Sequence, residues 1–475
     1  MTDAGTPSPG FPAGFTWGAA TAAFQVEGAT AEDGRGPSIW DTFTQVPGAV
    51  HGGDTAEVAC DHYHRYPGDI ALLADAGLNA YRFSLSWSRI QPEGRGPGCR
   101  AGLDHYRRVV ETCLEHGLTP WVTLYHWDLP QALEDDGGWL NRDTAARFAD
   151  YTALVEQSLG DVVTHWVTVN EPKVAAHAGY GAGIHAPGLR SGEGANLAAH
   201  HLLLAHGLAA SALRSGVGHA PTVGVTLDLT VAVPVSDSPA DVAAARRVDG
   251  NFNRWFLEPV LHGRYPDDMV AWFGGTPYVR EGDLELIAAP LDFLGFNYYR
   301  RQHVRAGNGT VGPGQGSPLD LDAEVVLPPG VPVTSVGWPV EPEGLHELLV
   351  RLHDTCPGTP LVVTENGAAY PDRVGPDGSV DDPLRVAYLD GHLRAMQQSL
   401  DEGVDVRGWF GWTLLDNFEW AEGYAARFGL VHVDFTTQRR TPKTSFGWLS
   451  QVARSNALPA AALPAAARSG EGVAR

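Results

Sequence analysis

The chain has 475 residues, 43% hydrophobic and 19% charged, which excludes a disordered polymer and supplies a core large enough to need no staples. Its net charge of −23, from 56 acidic against 33 basic residues, repels phosphate backbones and anionic lipids and so argues against nucleic-acid and membrane-surface roles. Four cysteines, Cys60, Cys99, Cys113 and Cys356, make no C-x-x-C pair or disulfide framework, and no run approaches the roughly 18 apolar residues of a membrane span.

Residues 1–10 (MTDAGTPSPG) carry no basic region followed by an apolar one and read as a flexible N-terminus of a cytoplasmic protein. A first strand falls within FTWGAATAAFQVE (15–27). From there one pattern recurs. In GDIALLADAGLNAYRFSLSW (68–87) an amphipathic helix ends near Gly77 and a β-rich run follows; residues 107–128 repeat this around Gly117, Phe148 to Glu171 around Gly160, and Leu393 to Glu419 around Gly403. A glycine just past a helix is the expected left-handed terminator. Further strands fit VGVTLDL (223–229), DFLGFNYY (292–299) and PLVVT (360–364), making eight. These runs are continuously apolar, which means burial on both faces and a parallel sheet. Residues 306–334, rich in Gly and Pro, read as a long loop, and 456–475, with a repeated ALPAA, as a low-complexity disordered tail.

Helices alternating with parallel strands leave an open doubly wound sheet or a closed (β/α)8 barrel. The strands finish in polar or aromatic clusters: Trp87-Ser88-Arg89, His126-Trp127-Asp128, Asn170-Glu171, Glu365-Asn366 and Asp416-Asn417-Phe418-Glu419. Groups gathered from many strand ends are the habit of the barrel's C-terminal face, so the α/β class expected is a single TIM barrel over 11–455. Glu171 and Glu365 each close a buried strand beside an Asn. A charge there is costly unless something uses or pairs it, and strands four and seven of eight face each other across the mouth. That suits a paired-carboxylate mechanism.

FTWGAATAAFQVEGA (15–29) and LVVTENG (361–367) resemble signatures of glycoside hydrolase family 1, the β-glucosidase family. DHYHRY (61–66), YRFSLSWSRI (81–90), TLYHWDLPQAL (123–133), NEP (170–172), HAPG (185–188), GFNYY (295–299) and WTLLDNFEWAEGY (412–424) match the family pattern in order, so the resemblance runs from about Phe11 to Leu449. It implies a retaining hydrolase of terminal β-D-glucosyl and related β-D-glycosyl residues, with Glu365 as nucleophile and Glu171 as acid/base. Such a site needs carboxyl groups about 5–5.5 Å apart. By the same resemblance Arg82 and Tyr299 hold Glu365 ionised and Asn170 donates to the sugar 2-hydroxyl. Gln25, His126, Trp127, Asn297, Glu419 and Trp420 fix the remaining hydroxyls, Trp412 is the stacking floor, and Trp338 and Phe428 flank the entry. The substrate expected is a small β-glycoside or cello-oligosaccharide, with no cofactor and no metal; self-association into a homo-oligomer stays compatible with the sequence. Transglycosylation by the same chemistry, and a lean toward galactosides or fucosides, stay open beside hydrolysis of glucosides. A sugar-binding protein without turnover is disfavoured because both carboxylates are kept.

Glu419 is also expected to repel a 6-phosphate, making the substrate unphosphorylated. Lys173, after NEP where relatives carry an aromatic or apolar residue, reads as a solvated rim position. His200, His201 and His206 read as helix-surface and packing residues, and Pro67-Gly68 as a helix start. The H-x-H of His62 and His64 precedes a helix and lacks the strand context of a metal site. Gly181 to Ala186 formally fits G-x-G-x-x-A without following a buried strand.

Overall fold

The computed structural model describes residues 10–460. Residues 1–9 and 461–475, most of the expected flexible N-terminus and tail, lie outside the described residues. The strands are β1 (Thr16–Thr21), β2 (Ala80–Ser84), β3 (Thr119–Tyr125), β4 (His165–Asn170), β5 (Thr222–Asp228), β6 (Phe293–Asn297), β7 (Leu361–Asn366) and β8 (Val406–Trp412). They pair in sequence order, all parallel, and β8 returns to β1 with Thr16 opposite Gly408 and Ala20 opposite Trp412, closing an eight-stranded barrel. The continuous apolar runs follow from this: one face of each strand fills the barrel and the other meets the surrounding helices.

Aromatic rings plug the interior. Trp121 lies 5.0 Å from Phe293 and 5.2 Å from Phe410, and its ring stacks on His165 at 4.5 Å. Two glycines make room for them. A Cβ on Gly18 would sit 2.3 Å from the Phe410 ring, and one on Gly224 would sit 2.4 Å from Phe293. Each buried ring contributes roughly 2–3 kcal/mol of apolar burial, so the floor beneath the site is held by packing and not by polar contacts.

Helices α1 (His62–Asp75), α2 (Arg100–Glu115), α3 (Asp143–Leu159), α4 (Gly192–Ser215) and α5 (Pro383–Asp401) lie between strands, and α6 (Thr444–Ser455) follows the last. Gly77, Gly117 and Gly403 take the left-handed φ that ends a helix, whereas Gly160 stays right-handed at −65°. Pro67 sits inside α1, not at its start, and is accommodated within the first turns. The stretch 306–334 is more than a loop: Ala323–Val326 pairs antiparallel with Arg301–Ala306, which runs beside Val231–Pro234 as a three-stranded sheet. Backbone pairing with a neighbouring strand overrides the Gly/Pro composition there. The root of the expected tail is fastened, since Asn456 accepts from Trp17 Nε1 at 2.9 Å and donates to the Phe11 carbonyl at 2.7 Å. No helix among the described residues is long and apolar enough to cross a membrane.

Candidate active site

The C-terminal ends of the strands open into one cavity of about 430 Å³, lined by Glu171 and Glu365 together with His126, Trp127, Tyr299, Trp338, Trp412, Glu419, Trp420 and Phe428. Glu171 directly follows β4 and takes a left-handed φ of +47° before Pro172 starts a new helical turn. A non-glycine residue held there is strained, and the local geometry aims its side chain into the mouth. Its backbone N–H is tied to the Thr226 carbonyl on β5 at 2.8 Å. Glu365 sits within β7, opposite Asn297 of β6.

Arg82, Asn170, Asn297 and Gln25 stand one bond behind the wall. Arg82 on β2 donates to Glu365 Oε1 at 2.6 Å, to the Thr364 carbonyl at 3.1 Å and to Asn170 Oδ1 at 2.6 Å. Tyr299 donates to the other oxygen of Glu365 at 2.6 Å. Asn297 donates to Glu171 Oε1 at 2.6 Å, also bonds the Glu365 side chain, and accepts from Thr364 Oγ1 at 2.8 Å. One amide therefore touches both carboxylates. Asn170 Nδ2 donates to His126 Nε2 at 3.0 Å, which leaves His126 Nδ1 protonated, buried and without a partner.

Around the opposite side, Trp127 and Trp420 approach to 4.6 Å, and the His126 ring lies nearly parallel to Trp412 and to Trp420. Trp127 and Trp420 both have positive φ, so backbone geometry fixes these rings. Gln25 Nε2 donates to Glu419 Oε2 at 3.3 Å, and Gln25 Oε1 is buried without a partner. Apolar ring faces beside unpartnered buried acceptors and donors are what a pyranose with its hydroxyl rim satisfies.

The electrostatics separate the two glutamates. Burial pushes Glu171 well above the usual carboxylate range, and the charges of Asp228 and Glu365 push it further. Burial raises Glu365 too, but Arg82 and the Tyr299 hydroxyl pull it back, so Glu365 is the first of the pair to ionise. Burial, with the charge of Glu365, lifts Glu419 to about 8. The same burial that would sharpen the expected repulsion of a 6-phosphate also favours a proton on Glu419. His126 is held neutral by burial and by Arg82.

Lys173 departs from its expected place on the rim. It is buried, its Nζ is bonded to the Asp228 carboxylate, and it lies 4.1 Å from the centre of the Phe252 ring. A single ion pair with an aromatic base replaces the hydration a rim lysine would keep. Asp228 was not singled out by sequence, although it closes β5 as Glu171 and Glu365 close theirs; Arg300 and Phe252, also in the wall, carried no signal. The three α4 histidines are wholly buried: His200 bonds Tyr265 and Asp283, His201 the Trp139 carbonyl, and His206 the Thr168 hydroxyl. Across 194–210 the helix has no exposed residue, so it offers no surface face for them.

A sequence model of glycosyl hydrolase family 1 matches residues 8–458. The bifunctional β-D-glucosidase/β-D-fucosidase of Bifidobacterium breve is 48% identical over 92% of this chain and 97% of its own length. The family 1 β-glucosidase of Thermotoga maritima superimposes with a TM-score of 0.90 at 41% identity, covering 96% of this chain and 100% of that one. The psychrophilic β-glucosidase of Micrococcus antarcticus gives a TM-score of 0.90 at 46% identity, over 94% and 98% of the two chains.

Proposed function

The chain belongs to glycosyl hydrolase family 1 and is a retaining O-glycoside hydrolase, and we propose that it removes terminal non-reducing β-D-glucosyl units with Glu365 as nucleophile and Glu171 as acid/base. The observation that carries the assignment of roles is the contrast between the two carboxylates in one cavity. Glu365 has a guanidinium and a phenol on its two oxygens, which favour an anion. Glu171 has burial and two neighbouring negative charges, which favour a proton. Both contact Asn297, and a shared amide partner supports the short carboxyl separation that a retaining site needs.

Glu171 gives its proton to the departing oxygen as Glu365 bonds to C1. The resulting ester removes the Glu365 charge, one of the causes that raise Glu171, so Glu171 releases protons more readily and can activate water for the second displacement. Tyr299, freed from a charged partner, remains beside the ester oxygen, and Arg82 is retained by Asn170. A fucoside is a second glycone in this reading, supported by the name of the Bifidobacterium relative. Cello-oligosaccharides, and with them a part in cellulose breakdown, are supported by the 1,4-β-D-glucan glucohydrolase of Thermotoga neapolitana, 42% identical over 94% of this chain and 99% of its own. A cytoplasmic location belongs to the same reading and is supported by four unpaired cysteines.

The test is azide rescue. Glu365→Gly abolishes hydrolysis of an activated β-glucoside, and added azide gives the inverted α-glucosyl azide. Glu171→Ala loses poor leaving groups far more than activated aryl ones, and azide gives the retained β-glucosyl azide. Equal losses on both substrate types in Glu171→Ala, or the reverse stereochemistry, overturn the roles.

A further inference from the structure

The half of the cavity beyond Glu171, where a leaving group lies, contains Lys173, Asp228 and Arg300 among mainly apolar walls that include Leu229, Phe252 and Leu319. Lys173 and Asp228 neutralise each other. Arg300, just past β6, is different. Its guanidinium lies 4.9 Å from the centre of the Trp338 ring and meets no carboxylate or hydrogen-bond acceptor of the described residues.

The one carboxylate whose charge acts on it is Asp228, which is already bonded to Lys173, so two cations share one anion and this half of the cavity keeps a net positive charge. Glu365 is matched by Arg82. Burial and neighbouring charge favour the proton on Glu171 and lift Glu419 to about 8. His177 and His185 are neutral through burial, at about 3 and about 4. A guanidinium stays charged throughout this range and presents five N–H donors in a planar fork. Partly desolvated and with no acceptor bonded to its N–H groups, it costs folding free energy that an incoming acceptor recovers.

We propose that Arg300 is a specificity-determining residue that receives a carboxylate on the leaving group, so that the favoured substrates are β-glucosides of an apolar, planar aglycone bearing one carboxylate. Two cations, Lys173 and Arg300, against the single Asp228 carboxylate leave one net positive charge, which fits a monoanion. The fork geometry fits two carboxylate oxygens, and the apolar walls with Trp338 fit the rest of such an aglycone. A β-glucoside of an aromatic acid is the simplest member of the class. The inference rests on the β-glucosidase reading of the site.

The experiment compares kcat/KM for 4-carboxyphenyl β-D-glucoside and its neutral near-isostere 4-carbamoylphenyl β-D-glucoside, in about 0.15 M salt to screen the acidic surface. The carboxylate is expected to be preferred by about tenfold, a typical charge-assisted hydrogen bond. Arg300→Gln brings the ratio to about one, and Arg300→Lys, which keeps the charge without the fork, falls between. A wild-type ratio near one overturns the proposal whatever the variants do. So does a ratio that Arg300→Gln leaves unchanged, or an equal loss on both glucosides, which makes Arg300 a donor to neutral groups. If neither glucoside is turned over, the β-glucosidase reading itself has failed and takes this inference with it.

Discussion

Glu171 and Glu365 carry the same side chain and differ in proton affinity only through their neighbours. Burial acts on both; Arg82 and Tyr299 then favour the anion at Glu365, while Asp228 and Glu365 oppose it at Glu171, resisted by Asn297 and Lys173. A signed prediction results. Removing the positive charge in Lys173→Met leaves the Asp228 charge opposed by Arg300 alone, favours protonated Glu171, and moves the alkaline limb of kcat/KM upward by on the order of one pH unit. Asp228→Asn removes a negative charge and moves the same limb downward. The profiles are measured on a substrate with a poor leaving group, where the proton matters. Shifts in the same direction for both variants would sink this account, since a merely structural loss has no sign. Both glutamates proposed as catalytic were legible as charges closing apolar strands. Asp228 closes β5 in the same way and was passed over because no neighbouring motif drew attention to it.

Among the elements, β7 and β8 meet most closely where the chemistry is. Gly367 follows β7, and a Cβ there would lie 1.8 Å from the Trp412 carbonyl oxygen at the end of β8. Glu365 is two residues upstream on one strand, and the Trp412 ring is part of the cavity wall on the other. Gly367→Ala must push the strand ends apart, costing about 1–3 kcal/mol of overpacking and lowering kcat by tenfold or more through misplacement of the reacting groups. Thermal unfolding and kcat are measured together; unchanged values of both would show that the strand ends yield freely. The glycine was visible in LVVTENG, but its reason was not, because the clash is with a strand more than 40 residues away. The extra strand Ala323–Val326 was hidden similarly: its partner, not its composition, makes it a strand.

Over the whole molecule the buried histidines set the response to acid. Burial holds His105 and His177 at about 3, and His185, His201, His206 and His392 at about 4. Folded values lie below the ordinary unfolded value near 6.5, so the unfolded chain binds more protons and stability falls as pH drops below about 6.5. Each such histidine costs up to about tenfold in the folding constant per pH unit until its own folded value is reached. Carboxylates add a second loss at lower pH. Burial opposes the Asp416 anion, but Lys443 and Arg427 outweigh it and hold its pKa below the usual value, so its contribution is complete above about pH 4 and is lost as pH falls further. Melting temperature across pH 3 to 8 should therefore decline in two stages. A flat profile down to pH 5 would contradict the buried neutral histidines.

What the sequence determined by itself was periodic or local: eight continuously apolar runs, the glycines that stop helices, and carboxylates at the ends of strands. Those signals are carried by neighbours along the chain, which is why they could be read there. The closed tertiary structure alone decided that Asn297 touches both Glu171 and Glu365, that Lys173 is buried against Asp228 instead of solvated, that burial lifts Glu419 to about 8, and that Arg300 has no carboxylate bonded to its guanidinium. Each depends on which strands the barrel brings together and on how far water is excluded, and proton affinity and charge pairing follow from those two conditions, not from residue identity.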